Sequence, residues 1–297
     1  MTNNNESNRA YVLFYSFFLI PLMITVFGTL FFLLFNVITF EPTDINQLLR
    51  KMENGSIHDK AEASLRINNL FYEDQTIYNS SFEEKIKKIH RLSKINEDEA
   101  LRLHTIMIMG NSRDTIFGPL LIEELDASKE DYRVKAIESL GKIRYTPSSG
   151  QILKFIHGNR TYYERLAAVG TLGNIGDPIA IFPLLEVINS DYIYLTDSGP
   201  NILYDACLAL LKLNYSNKEV EKVINQLLDR KFYNKFSDSL HENNVNMIIV
   251  KVLTIISSLN NFDITEPYIS NIEILAEKDQ NLEIRNLAMK VIEKIRH

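Results

Sequence analysis

The hydrophobic pattern begins with one unbroken apolar run. From Tyr11 to Phe40 the residues read YVLFYSFFLIPLMITVFGTLFFLLFNVITF, with no charged side chain among them. About 20 apolar residues are enough to cross a bilayer as a helix. A core helix of a soluble domain shows water a polar face, and this run has none to show. A cleavable signal peptide carries an apolar stretch of about 7–15 residues and a small-residue cleavage site, and the run fits neither feature. The pattern predicts a transmembrane helix over 11–40 behind a short tail at 1–10. Pro21 and Gly28 fall inside it. Membrane helices tolerate both, and Pro21 predicts a mild kink. With no ionisable residue at membrane depth, an ion pathway is not expected.

Past Phe40 the pattern changes to short amphipathic segments that resemble one another, the signature of a repeat array. The clearest pair is Arg133-Val-Lys-Ala-Ile-Glu-Ser-Leu-Gly-Lys-Ile143 and Arg165-Leu-Ala-Ala-Val-Gly-Thr-Leu-Gly-Asn-Ile175. Aligning the last apolar residue of each segment extends the series to Leu70, Ile108, Ile143, Ile175, Leu213, Leu259 and Ile295. Seven positions earlier stand Ala63, Leu101, Ala136, Ala168, Ala206, Val252 and Ala288. Three positions earlier stand Ile67, Thr105, Leu140, Leu172, Leu210, Ile256 and Ile292. Residues three and four apart share a helix face, so these rows form one apolar stripe per segment. Small side chains in the first row let neighbouring helices approach closely.

Each segment has a plausible partner helix before it: 44–53, 82–93, 115–126, 151–157, 178–189, 218–230 and 266–278. Intervals of roughly 32 to 46 residues match two-helix repeats. One hairpin cannot bury its own apolar face, whereas stacked hairpins can. No segment alternates apolar and polar residues between hairpin turns, so strands should be scarce. The fold class expected is all-α: one transmembrane helix, then an α-solenoid of about seven helical hairpins over 41–297.

The string from Arg165 to Pro178, with Leu172-Gly173-Asn174-Ile175-Gly176-Asp177-Pro178, resembles HEAT repeats of the short bacterial type, found also in phycobilin-lyase-like proteins. A second resemblance covers roughly the first 70 residues. Pro21-Leu22, Gly28, Glu41-Pro42, Leu48-Leu49, Gly55-Ser56 and Ala63 look like bacterial proteins with one N-terminal membrane helix and a HEAT-repeat domain. That likeness implies association with membrane transport machinery, including ABC-type transporters.

Composition narrows the function. The 297 residues carry a net charge of −6, whereas a broad grip on nucleic acid needs a basic face. The single cysteine, Cys207, excludes an intramolecular disulfide and a multi-thiolate zinc site. Its place beside Ala206 in an apolar row points to core packing. The lone His241-Glu242 pair is too little for the two-iron site that deoxyhypusine hydroxylase builds on such repeats. Gly170, Gly173 and Gly176 lack the spacing of a phosphate loop and sit where helix C-caps occur. No cofactor or metal is expected.

A basic residue stands ten positions before the anchor at Lys60, Arg133, Arg165 and Arg285. Because the row tracks the core register, it reads as a structural ladder bonding carbonyls or carboxylates of adjacent units; the sharper alternative is a ladder for an acidic partner. Two segments interrupt the repeat, 190–200 and 231–244. Their aromatics Tyr192, Tyr194, Phe232, Tyr233 and Phe236 are the candidate protein-binding residues, since aromatics on projecting loops anchor interfaces.

Arg50, Lys51 and Lys60 behind the apolar run outweigh Arg9 before it, which favours the repeat domain on the cytoplasmic side of the inner membrane. The function expected is a single-pass, membrane-anchored scaffold that binds a protein partner, and not an enzyme. The alternative is a HEAT-type enzyme or cofactor-handling protein.

Overall fold

The computed structural model describes residues 14–39, 44–73, 80–157, 159–189, 202–236 and 241–296. No strand occurs among them. The chain divides into two compact units, 1–47 and 48–297.

The first unit holds helix α1 (Ile20–Thr39), entered through a π-helical turn at Tyr15–Leu19. The amide of Ile20 bonds to the carbonyl of Tyr15, five residues back. Pro21 explains this widened turn. Its ring has no N–H to donate and collides with the carbonyl four residues earlier in a regular α-turn. Thr25 and Thr29 turn their hydroxyls onto the carbonyls of Pro21 and Thr25, each at 2.8 Å, so neither leaves a polar atom unpaired. The span Tyr15–Phe35 has a mean hydropathy of 2.5, and none of it is buried. This is the one helix among the described residues long and apolar enough to cross a membrane.

The second unit is a stack of helical hairpins. The first partners are α2 (Ile45–Asn54), α4 (Ser80–Ile95), α6 (Gly118–Glu123), α8 (Ser149–Ile152), α10 (Ile181–Asn189), α12 (Lys218–Leu228) and the broken pair α14 (Phe262–Thr265) and α15 (Ile269–Lys278). The second partners are α3 (Ile57–Glu73), α5 (Glu99–Asn111), α7 (Glu130–Lys142), α9 (Tyr162–Ile175), α11 (Ile202–Lys212), α13 (Glu242–Ser258) and α16 (Leu282–Arg296). Each of α3, α5, α7 and α9 packs on the next second helix in line. The fold is a HEAT/armadillo-like solenoid, as the periodicity predicts.

Local chemistry starts the helices where the pattern places them. The carboxylates of Asp98, Asp114 and Asp177 accept from amides at 3.1, 2.9 and 3.1 Å at the mouths of successive elements. Thr161 and Glu164 form a reciprocal capping box on α9. At the other ends the chain turns through left-handed residues, with φ of 56° at Arg113, 51° at Arg144, 81° at Gly176 and 54° at Asn214.

Those turns fix the repeat register. Arg113, Arg144, Gly176 and Asn214 are equivalent, so the second unit is anchored at Ser112 and not at Ile108, four residues earlier. Ser112 and Thr105 are polar where the other units are apolar, and this disguised the true alignment. With it restored, the small row is Ala63, Thr105, Ala136, Ala168, Ala206, Val252 and Ala288, every member fully buried.

Small residues hold the second helices together at their C-terminal ends. A Cβ added to Gly110, Gly141 or Gly173 would lie 2.5–2.7 Å from Ser139, Thr171 or Ala209 of the following helix. Ser139 and Thr171 also donate across the joint, to the carbonyls of Ile106 at 3.0 Å and Ile137 at 2.9 Å. One joint thus combines close backbone approach with a hydrogen bond that satisfies a buried hydroxyl.

Candidate functional site

The cations of the second helices fall into two rows, one at each end. The corrected register adds Arg102 to the row expected at Lys60, Arg133, Arg165 and Arg285. Lys60 pairs with Asp98 at 2.8 Å. Arg102 grips Glu124 with Nε at 2.9 Å and Nη2 at 2.6 Å. Arg133 donates to Glu164 at 2.5 Å and to the carbonyls of Ala127 and Ser128 at 2.7 and 2.8 Å. Arg165 donates to the carbonyl of Ile156 at 3.3 Å, and Arg285 to that of Asp279. These side chains are occupied inside the stack.

Two of the carboxylates they meet, Glu124 and Glu164, are buried. Glu124 is wholly enclosed and also takes His90 Nε2 at 3.1 Å and Lys94 at 3.2 Å. The other ring nitrogen of His90 meets the Thr105 hydroxyl at 2.9 Å. Burial pushes the Glu124 carboxyl up, but the hydrogen bonds from His90 and Arg102 outweigh it and hold the pKa at about 2. Glu164, enclosed to 1% exposure, follows the same logic: burial raises it, and Arg133 together with the Thr161 amide brings it below the ordinary range. Arg102 was missed because Ile108 looked like the anchor; the glycine shared by Gly110, Gly141 and Gly173 is the signal that finds it.

The second row stands at the C-terminal ends. Asn111, Lys142, Asn174 and Lys212 are equivalent positions. Lys142 donates to the amide oxygen of Asn111 at 2.8 Å, and Lys212 to that of Asn174 at 2.6 Å. Asn111 in turn donates to Asn68 at 2.7 Å. Here the partners are neutral amides. Residues Asn111, Arg113, Lys142, Arg144 and Asn174 line a groove of about 650 Å³ across the ends of α5, α7 and α9.

The expected aromatic site is not assembled among the described residues. Tyr192 and Tyr194 lie outside them. Phe232, Tyr233 and Phe236 belong to a 3₁₀ segment, Arg230–Phe236, and not to a projecting loop; the side chain of Phe236 lies outside the described residues. Tyr233 is turned inward: it is buried, donates its hydroxyl to the carbonyl of Leu227 at 2.8 Å, and packs edge-on against Phe232. Phe232 meets the buried Tyr204 in the same manner. An amphipathic ring next to an apolar helix end finds both packing and an acceptor there, which a solvent-facing loop does not offer.

Cys207 is fully buried, and burial pushes its thiol up to about 12, so it is inert as a nucleophile. Glu242 accepts from Gln280 at 2.8 Å. Among the described residues no three His, Cys, Asp or Glu side chains converge as a metal site.

No protein-family model matches the chain, and no curated protein matches it. Among solved structures it is similar to the complex of CpcE and CpcF of phycocyanin lyase from Nostoc sp. PCC7120. The identity is 12%, the TM-score 0.54, and the match covers 86% of this chain and 96% of that one. A designed armadillo repeat protein matches at 15% identity and a TM-score of 0.36, over 85% of this chain and all of the other. At such identity the phycocyanin lyase likeness establishes the architecture, a helical repeat solenoid.

Proposed function

We propose that this protein is a membrane-tethered scaffold: α1 holds it in the bilayer and the repeat stack binds a protein partner. The observation that carries the reading is the span Tyr15–Phe35, long, strongly apolar and with none of it buried among the described residues. Leaving that much hydrocarbon in water costs about 25 cal/mol per Å², so a lipid environment is its natural solvent. Tethering confines the solenoid to the membrane surface, where modest affinity suffices for a partner in the same bilayer.

The likeness of the first 70 or so residues to membrane-anchored HEAT-repeat proteins suggests transport machinery of the ABC type as the partner. The excess of Lys and Arg behind the span favours the cytoplasmic side of the inner membrane. The cations of the repeat row are occupied structurally and the thiol is inert, which supports binding over catalysis.

Alkaline carbonate extraction of native membranes tests the anchor: the full chain stays in the pellet, and release into the supernatant would refute it. Chemical crosslinking in native membranes, followed by purification of the full chain, tests the scaffold. A discrete membrane-protein partner is expected. A chromophore or other small molecule travelling with the purified chain, and no protein, would move the reading to a cofactor-handling protein of the kind its lyase neighbour suggests.

A further inference from the structure

We propose that the groove across the ends of α5, α7 and α9 is an anion site that receives an acidic segment of the protein partner, gripped by Arg113, Lys142 and Arg144. This rests on the scaffold reading and names the chemistry of its binding surface.

The first argument is charge. The chain as a whole is acidic, at −6, yet none of the described residues lining this groove is acidic and three are basic. Arg113, Lys142 and Arg144 are exposed. No carboxylate among the described residues pairs with them, in contrast to Arg102 and Arg133. Lys212 extends the row by one more repeat, its ammonium held among the described residues by the Asn174 amide oxygen.

The second argument is backbone cost. Arg113 and Arg144 sit in the left-handed region, where Gly176 shows that glycine fits the equivalent turn. A side chain there carries strain that glycine would remove. Arginine nevertheless stands at two successive turns, and both residues line the groove.

The third argument is solvation. Lys142 keeps an exposed surface, yet the protein around it desolvates the ammonium enough to lower its pKa; desolvation with the nearby Lys251 lowers that of Lys212, with Arg144 adding to the repulsion. Glu138 and Asp205 pull the other way, but Asp205 is already bonded to Lys251 at 2.6 Å. Both lysines lack a counter-charge that an incoming carboxylate would supply.

Shape selects the class of ligand. A volume of about 650 Å³ over three repeats exceeds a lone phosphate, and the row continues toward Lys212. A long nucleic acid needs a basic face more extended than three turns, and the chain as a whole is acidic. A short acidic peptide meets the cations of all three turns and ends within the groove.

The test uses the full chain in detergent micelles, a fluorescein-labelled glutamate-rich peptide and fluorescence anisotropy. The wild type binds, and added salt weakens the complex. The double variant R113G/R144G melts at the same or a higher temperature and loses affinity about tenfold; adding K142Q lowers it further. Unchanged affinity in these variants overturns the proposal, as does tighter binding of a single-stranded oligonucleotide, of inorganic phosphate or of phosphatidylserine vesicles at the groove. Crosslinking in native membranes separates the two readings. A partner captured equally by wild type and R113G/R144G sinks the groove and leaves the scaffold standing. Peptide binding without any captured partner does the reverse.

Discussion

The second helices of the stack carry cations in two rows, one toward each end, and the two rows are used differently. At the N-terminal end Arg102 and Arg133 reach into the stack and meet Glu124 and Glu164, carboxylates almost wholly removed from water. At the C-terminal end Lys142 and Lys212 meet, among the described residues, the neutral amide oxygens of Asn111 and Asn174. A helix C-terminus attracts cations in any case through its dipole and free carbonyls, so a basic residue there needs no carboxylate to be tolerated. The first kind of cation is architecture. The second is charge left available at the surface, and this difference, not the number of basic residues, decides where an acidic partner would bind.

The comparison breaks most visibly at Glu124. Removing one member of a buried, hydrogen-bonded charge cluster leaves the others uncompensated, at a cost of about 3–5 kcal/mol. Glu124→Ala strands Arg102 and His90 at once and leaves Lys94 with Glu123 at 3.5 Å. Urea unfolding of the repeat domain within the full chain, followed by circular dichroism, should show a loss of that order. A change under about 1 kcal/mol would mean that water reaches the cluster.

Acid withdraws the same interaction without mutation. The folded pKa of Glu124, about 2, lies below its ordinary value of 4.5, so the unfolded chain takes up the proton first. The stability it contributes is complete above about pH 4.5 and drains away as pH falls toward 2. Glu124→Gln should flatten this part of the stability profile. An identical acid limb in wild type and variant would remove Glu124 as its source.

The architecture was legible because repetition multiplies a weak signal. Ala136, Ala168, Ala206 and Ala288 recur at one register, and all are fully buried. The place where the reading slipped is physical as well. In the second unit Thr105 and Ser112 occupy apolar positions because Thr105 serves His90 and Ser112 bonds the carbonyl of Met109 at 2.7 Å. A polar residue satisfied by a neighbour looks, in sequence alone, like a surface residue. Tyr233 misled in the opposite direction, since its burial depends on the carbonyl of Leu227 and the ring of Phe232. The groove was not legible at all: Asn111, Lys142 and Asn174 are ordinary polar residues until the glycine joints bring their helix ends side by side.

Those joints give an intermediate effect with an internal control on one helix. Gly173→Ala places a Cβ 2.7 Å from Ala209 Cα, which is backbone and cannot swing aside. Overpacking costs about 1–3 kcal/mol, offset by up to about 1 kcal/mol of helix propensity. Gly170, on the same helix, has nothing within 4 Å of the added atom. Gly170→Ala should therefore stabilise by a few tenths to about 1 kcal/mol while Gly173→Ala destabilises. Opposite signs within three residues make thermal melts of the two variants decisive, and two stabilising outcomes would show that the α9–α11 joint is loose.

The smallest effect belongs to the second row, and its sign carries the argument. Desolvation lowers the ammonium pKa of Lys142 and of Lys212, so the folded state holds these protons less tightly than the unfolded state. Their charge is a cost at neutral pH that is relieved as pH rises, the reverse of an ammonium that has gained a carboxylate. Lys142→Met and Lys212→Met remove the charge and keep most of the aliphatic stem. Each should leave stability unchanged or raise it by less than about 0.5 kcal/mol, whereas Arg133→Met, which abandons Glu164, should lose several times that. If the lysine variants unfold as readily as the arginine variant, the C-terminal cations are structural after all, and the two ends of the helices would not differ in kind.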